Sequence, residues 1–256
     1  MNQSIVYALD FDGVICDSAV ETGVAGWKSA RKIWPDMPES CPAPLIEQFC
    51  RARPVLETGY EAIFVIRLLF ENISTESILA DFEALKITRQ KQLSINEDAL
   101  KQLFGETRDQ WIKSAAADWI KNNPLFPGVK EKLSAVLQNH PCYIVTTKQE
   151  RFVQQILSAN DIKISDQAIF GLERKLKKDA ILLMLQQKHP DQTLYFVEDR
   201  LPPLLDVQRH PQLKTAQLFF ADWGYNTPHD KKQAEAHSIQ VIQLNEFLAD
   251  AMFRQT

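Results

Sequence analysis

The first strand-like run of this chain stands alone, separated from the second by about 130 residues. Ile5–Phe11 is a short apolar run of strand length, and Cys142–Thr146 is the next of its kind. After that point such runs recur at Ala168–Phe170, Leu194–Val197, Leu218–Ala221 and Ile239–Ile242. Amphipathic segments of helix length lie between them, among them Val129–Gln138, Gln149–Ala159 and Lys178–Lys188. Alternation of this kind predicts an α/β chain with a parallel sheet. A crossover between parallel strands needs little more than a dozen residues, so the long first interval must carry an inserted body. Its patterns, over Gly23–Trp34, Pro44–Arg53, Gly59–Asn72, Ser77–Leu93 and Asp98–Ile120, are helical, with no convincing strand. The expected organisation is an α/β core made of residues 1–17 and 122–256, and an all-helical domain made of residues 18–121.

Composition excludes several classes of function. The chain is 45% hydrophobic and 24% charged, which suits a folded globular protein. Its 29 Lys and Arg against 33 Asp and Glu give a net charge of -4, so neither nucleic acid nor an anionic membrane is an expected partner. No apolar stretch approaches the roughly 20 residues of a membrane helix. The start MNQSIVYALDFDG has no basic segment followed by an apolar stretch and a cleavage site, so a cytoplasmic location is expected. Cys16, Cys41, Cys50 and Cys142 form no C-x-x-C pair and read as reduced thiols. With eight glycines and no G-x-G-x-x-G, a dinucleotide fingerprint is missing.

The chemistry gathers at strand ends. Asp10-Phe11-Asp12-Gly13 closes the first strand, placing two carboxylates where an open parallel sheet forms its ligand crevice. Oxygen donors of this type suit a hard cation such as Mg²⁺, and Gly13 permits a tight turn beside them. By itself D-x-D-G reads equally as an acidic turn. Thr146 ends the second strand with a hydroxyl able to donate to a phosphate oxygen, and Thr147 reads either as a second such group or as a helix cap. Lys175, Lys177 and Lys178 open a helix, where one ammonium could meet an anion. Glu198 and Asp199 end another strand, and an acidic pair of this kind is most economically explained by a cation shared with Asp10.

These four segments, in this order, resemble the motifs of the haloacid dehalogenase-like hydrolases. The resemblance spans the whole chain and implies a Rossmann-like parallel-sheet core with an inserted helical cap, as in the subfamily that includes phosphoglycolate phosphatases and β-phosphoglucomutases. It implies that Asp10 is a nucleophile forming an aspartyl-phosphate and that Asp12 is the general acid and base. It also implies that Thr146, Thr147 and Lys177 hold the phosphoryl group, with Lys175 and Lys178 as alternatives to Lys177. Mg²⁺ is the implied cofactor, bound by Asp10, Asp12 through its carbonyl, Asp199 and Glu198. The family's fourth motif commonly carries a further Asp where Pro203 and Leu204 stand here. Either Glu198 replaces it or the ion takes more water. Dehalogenases lack a carboxylate at the Asp12 position, so the resemblance favours phosphate-ester chemistry.

The expected activity is hydrolysis of a small phosphorylated metabolite by a monomer or homodimer. A phosphomutase with the same residues, or a non-catalytic binding protein of the same fold, are the alternatives. Within the insertion, the loop Arg51-Ala-Arg53-Pro-Val-Leu-Glu57-Thr-Gly-Tyr60-Glu61 reads either as a charged helix entry or as a substrate contact made by Arg53.

Overall fold

In the computed structural model, residues 4–93 and 95–249 are described. Two compact units emerge, one of residues up to Asp17 and from Leu125 onward, the other Ser18–Pro124. The return to the first unit falls at Leu125 rather than at 122, since Asn122 and Asn123 still bond back to the helix that ends at Lys121. The Asn122 N–H donates to the Asp118 carbonyl, and the Asn123 side chain donates to the Trp119 carbonyl at 2.9 Å.

The first unit starts with β1 (Ile5–Leu9), whose five residues are all buried. Within the second unit the described elements are helices and short 3-10 turns: α1 (Ala19–Ile33), α2 (Ala43–Ala52), α3 (Ala62–Phe70), α4 (Thr75–Gln92) and α5 (Glu97–Lys121). The first unit resumes with α6 (Val129–Asn139), β2 (Cys142–Val145), α7 (Glu150–Ala159), β3 (Ile169–Phe170), α8 (Lys178–Lys188) and β4 (Thr193–Glu198). It continues with α9 (Leu201–Arg209), β5 (Gln217–Ala221), α10 (Pro228–Ala236), β6 (Gln240–Ile242) and α11 (Leu244–Leu248). None of the described helices is long and apolar enough to cross a membrane. None of the four cysteines is in a disulfide.

Six parallel strands form one sheet in the order β3-β2-β1-β4-β5-β6. Such a sheet is covered on both faces, which is why its strands read as continuous apolar runs instead of alternating ones. Val6 and Ala8 face one side with Val145, Phe196, Leu182 and Leu204. Connections leave β1 towards β2 on one side and return to β4 on the other, so the β1/β4 boundary is the switch point where the loops diverge and open a crevice. The sequence places Asp10, Phe11 and Thr146 inside strands, whereas β1 ends at Leu9 and β2 at Val145. Those residues belong to the loops that line the crevice.

The second unit has its own core. Helix α3 is buried almost all round, through Ala62, Ile63, Phe64, Val65, Ile66, Leu68 and Leu69. A helix that apolar is central by necessity, since each fully buried large side chain contributes about 1.5–3 kcal/mol. Trp27, Phe49, Tyr60 and Phe104 pack into the same cluster. A polar node is sealed in this unit as well. The Arg108 guanidinium makes paired bonds to the Glu21 carboxylate at 2.8 and 2.6 Å, and the Trp119 indole donates to the same carboxylate at 2.9 Å.

Because the Glu21 side chain is completely buried, removing its cationic partner strands a charge in the core. Arg108→Ala is expected to lower the unfolding free energy by about 3–5 kcal/mol, measured by urea denaturation. Replacing both partners with apolar residues should recover most of that loss.

Candidate active site

Strand register brings the carboxylates together. Leu9 of β1 lies opposite Val197 of β4, and the ladder runs one step further through the Asp10 N–H, which donates to the Val197 carbonyl at 2.9 Å. Asp10 therefore leaves β1 beside Glu198, the last residue of β4, and Asp199 follows at once. One carboxylate oxygen from each of Asp10, Glu198 and Asp199 lies within 4.8 Å of the others, and all three residues are buried. Three carboxylates at that spacing repel one another strongly in a medium of low dielectric constant.

Lysine 178 supplies part of the compensation. Its ammonium, at the first turn of α8, donates to Asp10 at 2.7 Å and to Glu198 at 2.5 Å. This corrects the expectation for Lys177, which is the exposed N-cap residue of α8. Lys175 is also exposed and takes a left-handed backbone at φ 53°. A helix start one residue earlier or later would turn a different lysine inward, and only the folded position of α8 selects Lys178.

The Asp10 carboxyl is pushed up to about 7. Burial is the main cause, opposed by Lys178 and reinforced by Glu198 and Asp12. Burial alone would lower the Lys178 ammonium, but Asp10 and Glu198 carry it above its ordinary value.

Past Asp10 the chain makes a tight turn. The Ile15 and Cys16 N–H groups both donate to the Phe11 carbonyl, the Gly13 N–H donates to the Cys16 carbonyl, and the Phe126 N–H donates to Ile15. Gly13 has φ +94°, and a Cβ there would lie 2.1 Å from an Asp199 carboxylate oxygen. A Cβ on Gly224 would lie 2.3 Å from the Asp199 Cβ and 2.4 Å from the Gly13 carbonyl oxygen. The two glycines thus form a clasp that admits Asp199. The Tyr225 N–H donates to its carboxylate at 2.6 Å, and Asn226 donates to its carbonyl at 3.2 Å. Tyr225 also reaches Asp17 through its hydroxyl at 2.9 Å.

The Asp12 side chain does not join the Asp10, Glu198 and Asp199 group. It accepts a 2.9 Å bond from the Lys148 ammonium, whose side chain is fully buried. The sequence reading passed over Lys148, although it sits in the same T-T-K segment as Thr146. Nothing local distinguishes it from a surface lysine, because its partner is 136 residues away. Thr146 is buried and its hydroxyl oxygen accepts the Lys148 N–H at 3.1 Å, while Thr147 is half-buried. Of the positions where a further carboxylate was looked for, Leu204 is buried in the sheet-side core and Pro203 lies within α9. Arg53 lies in a short turn of the second unit, largely buried, where it donates to the Leu56 carbonyl at 3.5 Å.

The donor chemistry suits a hard divalent cation: buried carboxylate oxygens only, from the ends of two neighbouring strands, in a group whose negative charge exceeds that of the Lys178 ammonium.

No protein-family model and no curated protein matches the chain. Solved structures do. It is similar to a haloacid dehalogenase-like family hydrolase from Streptococcus pneumoniae at 17% identity and TM-score 0.59, covering 100% of both chains. A predicted phosphoglycolate phosphatase from Haemophilus somnus is similar at 19% identity and TM-score 0.59, covering 98% of this chain and 99% of that one. A predicted phosphatase from Clostridium acetobutylicum gives 16% identity and TM-score 0.59, covering 98% of each. The chain has the fold of the haloacid dehalogenase-like hydrolases, an α/β sheet with helices.

The raised Asp10 pKa has a definite sign in stability. Between its ordinary value of 3.8 and about 7, native metal-free protein holds a proton that the unfolded chain has released. The Asp10 contribution is therefore present at low pH and lost as pH rises through about 7. Urea denaturation in EDTA at several pH values is expected to show Asp10→Asn gaining on wild type across that window. A pH-independent difference would contradict the raised value.

Proposed function

We propose that this chain is a Mg²⁺-dependent phosphomonoester hydrolase that acts on a small phosphorylated metabolite through an aspartyl-phosphate on Asp10. The observation that carries the reading is the separation of two carboxylates from one motif into different settings. Asp10 sits among Lys178, Glu198 and Asp199, while Asp12, two residues on, is held by Lys148. A division into nucleophile and proton carrier needs two carboxylates in separate settings, and Lys178 together with a bound cation would favour the ionised form of Asp10 on which attack depends. The likeness in fold to proteins described as phosphatases supports the same reading.

In the first step an Asp10 carboxylate oxygen attacks phosphorus, forming the acyl-phosphate bond as the ester P–O bond breaks. Asp12 gives its proton to the departing alkoxide. In the second step Asp12, now ionised, takes a proton from water, which attacks the phosphorus of the aspartyl-phosphate and releases inorganic phosphate with Asp10 restored. Lys178, in place of Lys177, offsets charge at the attacking carboxylate, while Thr146 and Thr147 would bind phosphoryl oxygens. Lys148 fixes the Asp12 carboxylate, so that it is aimed before substrate arrives. Asp10, Asp199, Glu198 and the Asp12 carbonyl are the groups that would hold Mg²⁺, which when bound offsets the charge of the phosphoryl oxygens.

Two measurements test the assignment. Asp10→Asn is expected to abolish release of inorganic phosphate from phosphomonoesters while the circular dichroism spectrum is retained. EDTA should abolish it in wild type, and Mg²⁺ should restore it. Retained turnover in Asp10→Asn would remove Asp10 as nucleophile.

Asp12→Asn is expected to slow hydrolysis of alkyl phosphates by about 10²- to 10⁴-fold, and that of p-nitrophenyl phosphate much less, since a good leaving group needs little protonation. Equal losses on the two substrates would exclude Asp12 as the acid.

A further inference from the structure

A second set of charges, entirely within the helical unit, remains unexplained by this chemistry. Lys28, Arg31 and Lys32 lie three and four residues apart on the last turns of α1, and therefore share one face. Together with Thr107, Trp111 and Ser114 of α5 they line a cavity of about 380 Å³. None of the three cations makes an ion pair with any described residue. The Lys32 ammonium bonds to neutral partners, the Thr107 hydroxyl at 2.8 Å and the Gln110 amide oxygen at 3.0 Å. The Lys28 ammonium rests 3.7 Å from the centre of the Trp111 ring. The buried Arg31 Nε hydrogen-bonds to nothing among the described residues.

Acids stand nearby and attract the two lysines through space, without forming an ion pair with them. Glu21 is bound by Arg108 and Trp119, Asp118 accepts the Trp111 indole N–H at 2.8 Å, and Glu106 accepts from Gln102 at 2.8 Å. Burial holds both Lys28 and Lys32 below the usual lysine value in spite of these acids. Three like charges on one helix face repel, and partial burial adds a desolvation cost to each. A bound anion would relieve both.

We propose that the α1–α5 cavity of the helical unit is a binding site for a phosphate-type oxyanion, free or carried on a small molecule, held by Lys28, Arg31 and Lys32. A tetrahedral dianion offers acceptors in several directions, which matches donors converging from two helices better than a single carboxylate does. Arg31, whose buried Nε hydrogen-bonds to nothing among the described residues, lines the cavity with Lys28 and Lys32, and the three cations supply the opposing charge. The cavity exceeds what one phosphate fills, leaving room for an organic remainder along Trp111 and Ser114. None of its lining residues belongs to the group around Asp10, and its existence does not depend on the hydrolase reading.

Isothermal titration of the full-length protein, in EDTA and a chloride buffer free of other oxyanions, tests it. The probes are inorganic phosphate and glycerol 3-phosphate. Wild type is expected to bind at least one of them, with affinity reduced tenfold or more in Arg31→Gln and in Lys28→Gln. Thr146→Val, which alters the other phosphate-binding region, should leave this component in place. Tighter binding of glycerol 3-phosphate would assign the site to a phosphorylated small molecule, and equal or tighter binding of inorganic phosphate to the free ion. Thermal unfolding in the same buffer without phosphate separates a ligand site from a structural arginine. Arg31→Gln should melt no lower than wild type, because it removes an uncompensated charge. Absence of binding to wild type, or equal affinity in wild type and both α1 variants, would overturn the proposal.

Discussion

Mutual repulsion among carboxylates is the constraint around which the sheet-bearing unit is arranged. Parallel pairing of β1 with β4 forces Asp10 and Glu198 to emerge side by side, and Asp199 follows without a residue to spare. Such a cluster in a buried site is unfavourable unless positive charge enters it. The Lys178 ammonium arrives from the start of α8 to meet two of the three carboxylates. The negative charge left over has the donor chemistry that suits a cation.

Backbone geometry around the cluster is correspondingly tight. Asp199 fits only because Gly13 and Gly224 carry no side chain, and Gly13 also takes a left-handed conformation that other residues adopt at a cost. The loop after β5 contributes more than space. Tyr225 ties Asp199 by its backbone and Asp17 by its hydroxyl, and the Trp223 indole donates to the Val14 carbonyl at 3.2 Å. The turn following β1 is thus pinned from two directions, which holds Asp10 and Asp12 in fixed relation.

The helical unit solves a different problem. Its apolar content is ample, with α3 enclosed on nearly every side and a core cluster of its own. Its charges are divided into two kinds. Glu21 and Arg108 are fully sealed and satisfied by one another, which costs desolvation but specifies how α1 meets α5. Lys28, Arg31 and Lys32, on the same pair of helices, line a cavity and form no ion pair with any described residue. Satisfied and unsatisfied charge side by side on one interface distinguishes a packing element from a ligand face.

The sequence by itself determined the α/β class, the position of the helical insertion and the strand ends that carry acids. All of these rest on local periodicity and on the chemistry of adjacent residues. Asp10, Glu198 and Asp199 were legible because strand ends are recognisable and acidic pairs there are unusual. Which lysine turns inward was not legible, since Lys175, Lys177 and Lys178 differ only in their phase relative to a helix start. Lys148 was missed for the same kind of reason: its role is defined by Asp12, far away in the chain and brought close only when β2 pairs with β1. The cation-lined cavity between α1 and α5 depends on two helices meeting across more than seventy residues of sequence. Periodicity declares which face of an element is apolar. Only tertiary packing decides which charged side chains share a space, because electrostatic partnership depends on distance through space and not along the chain.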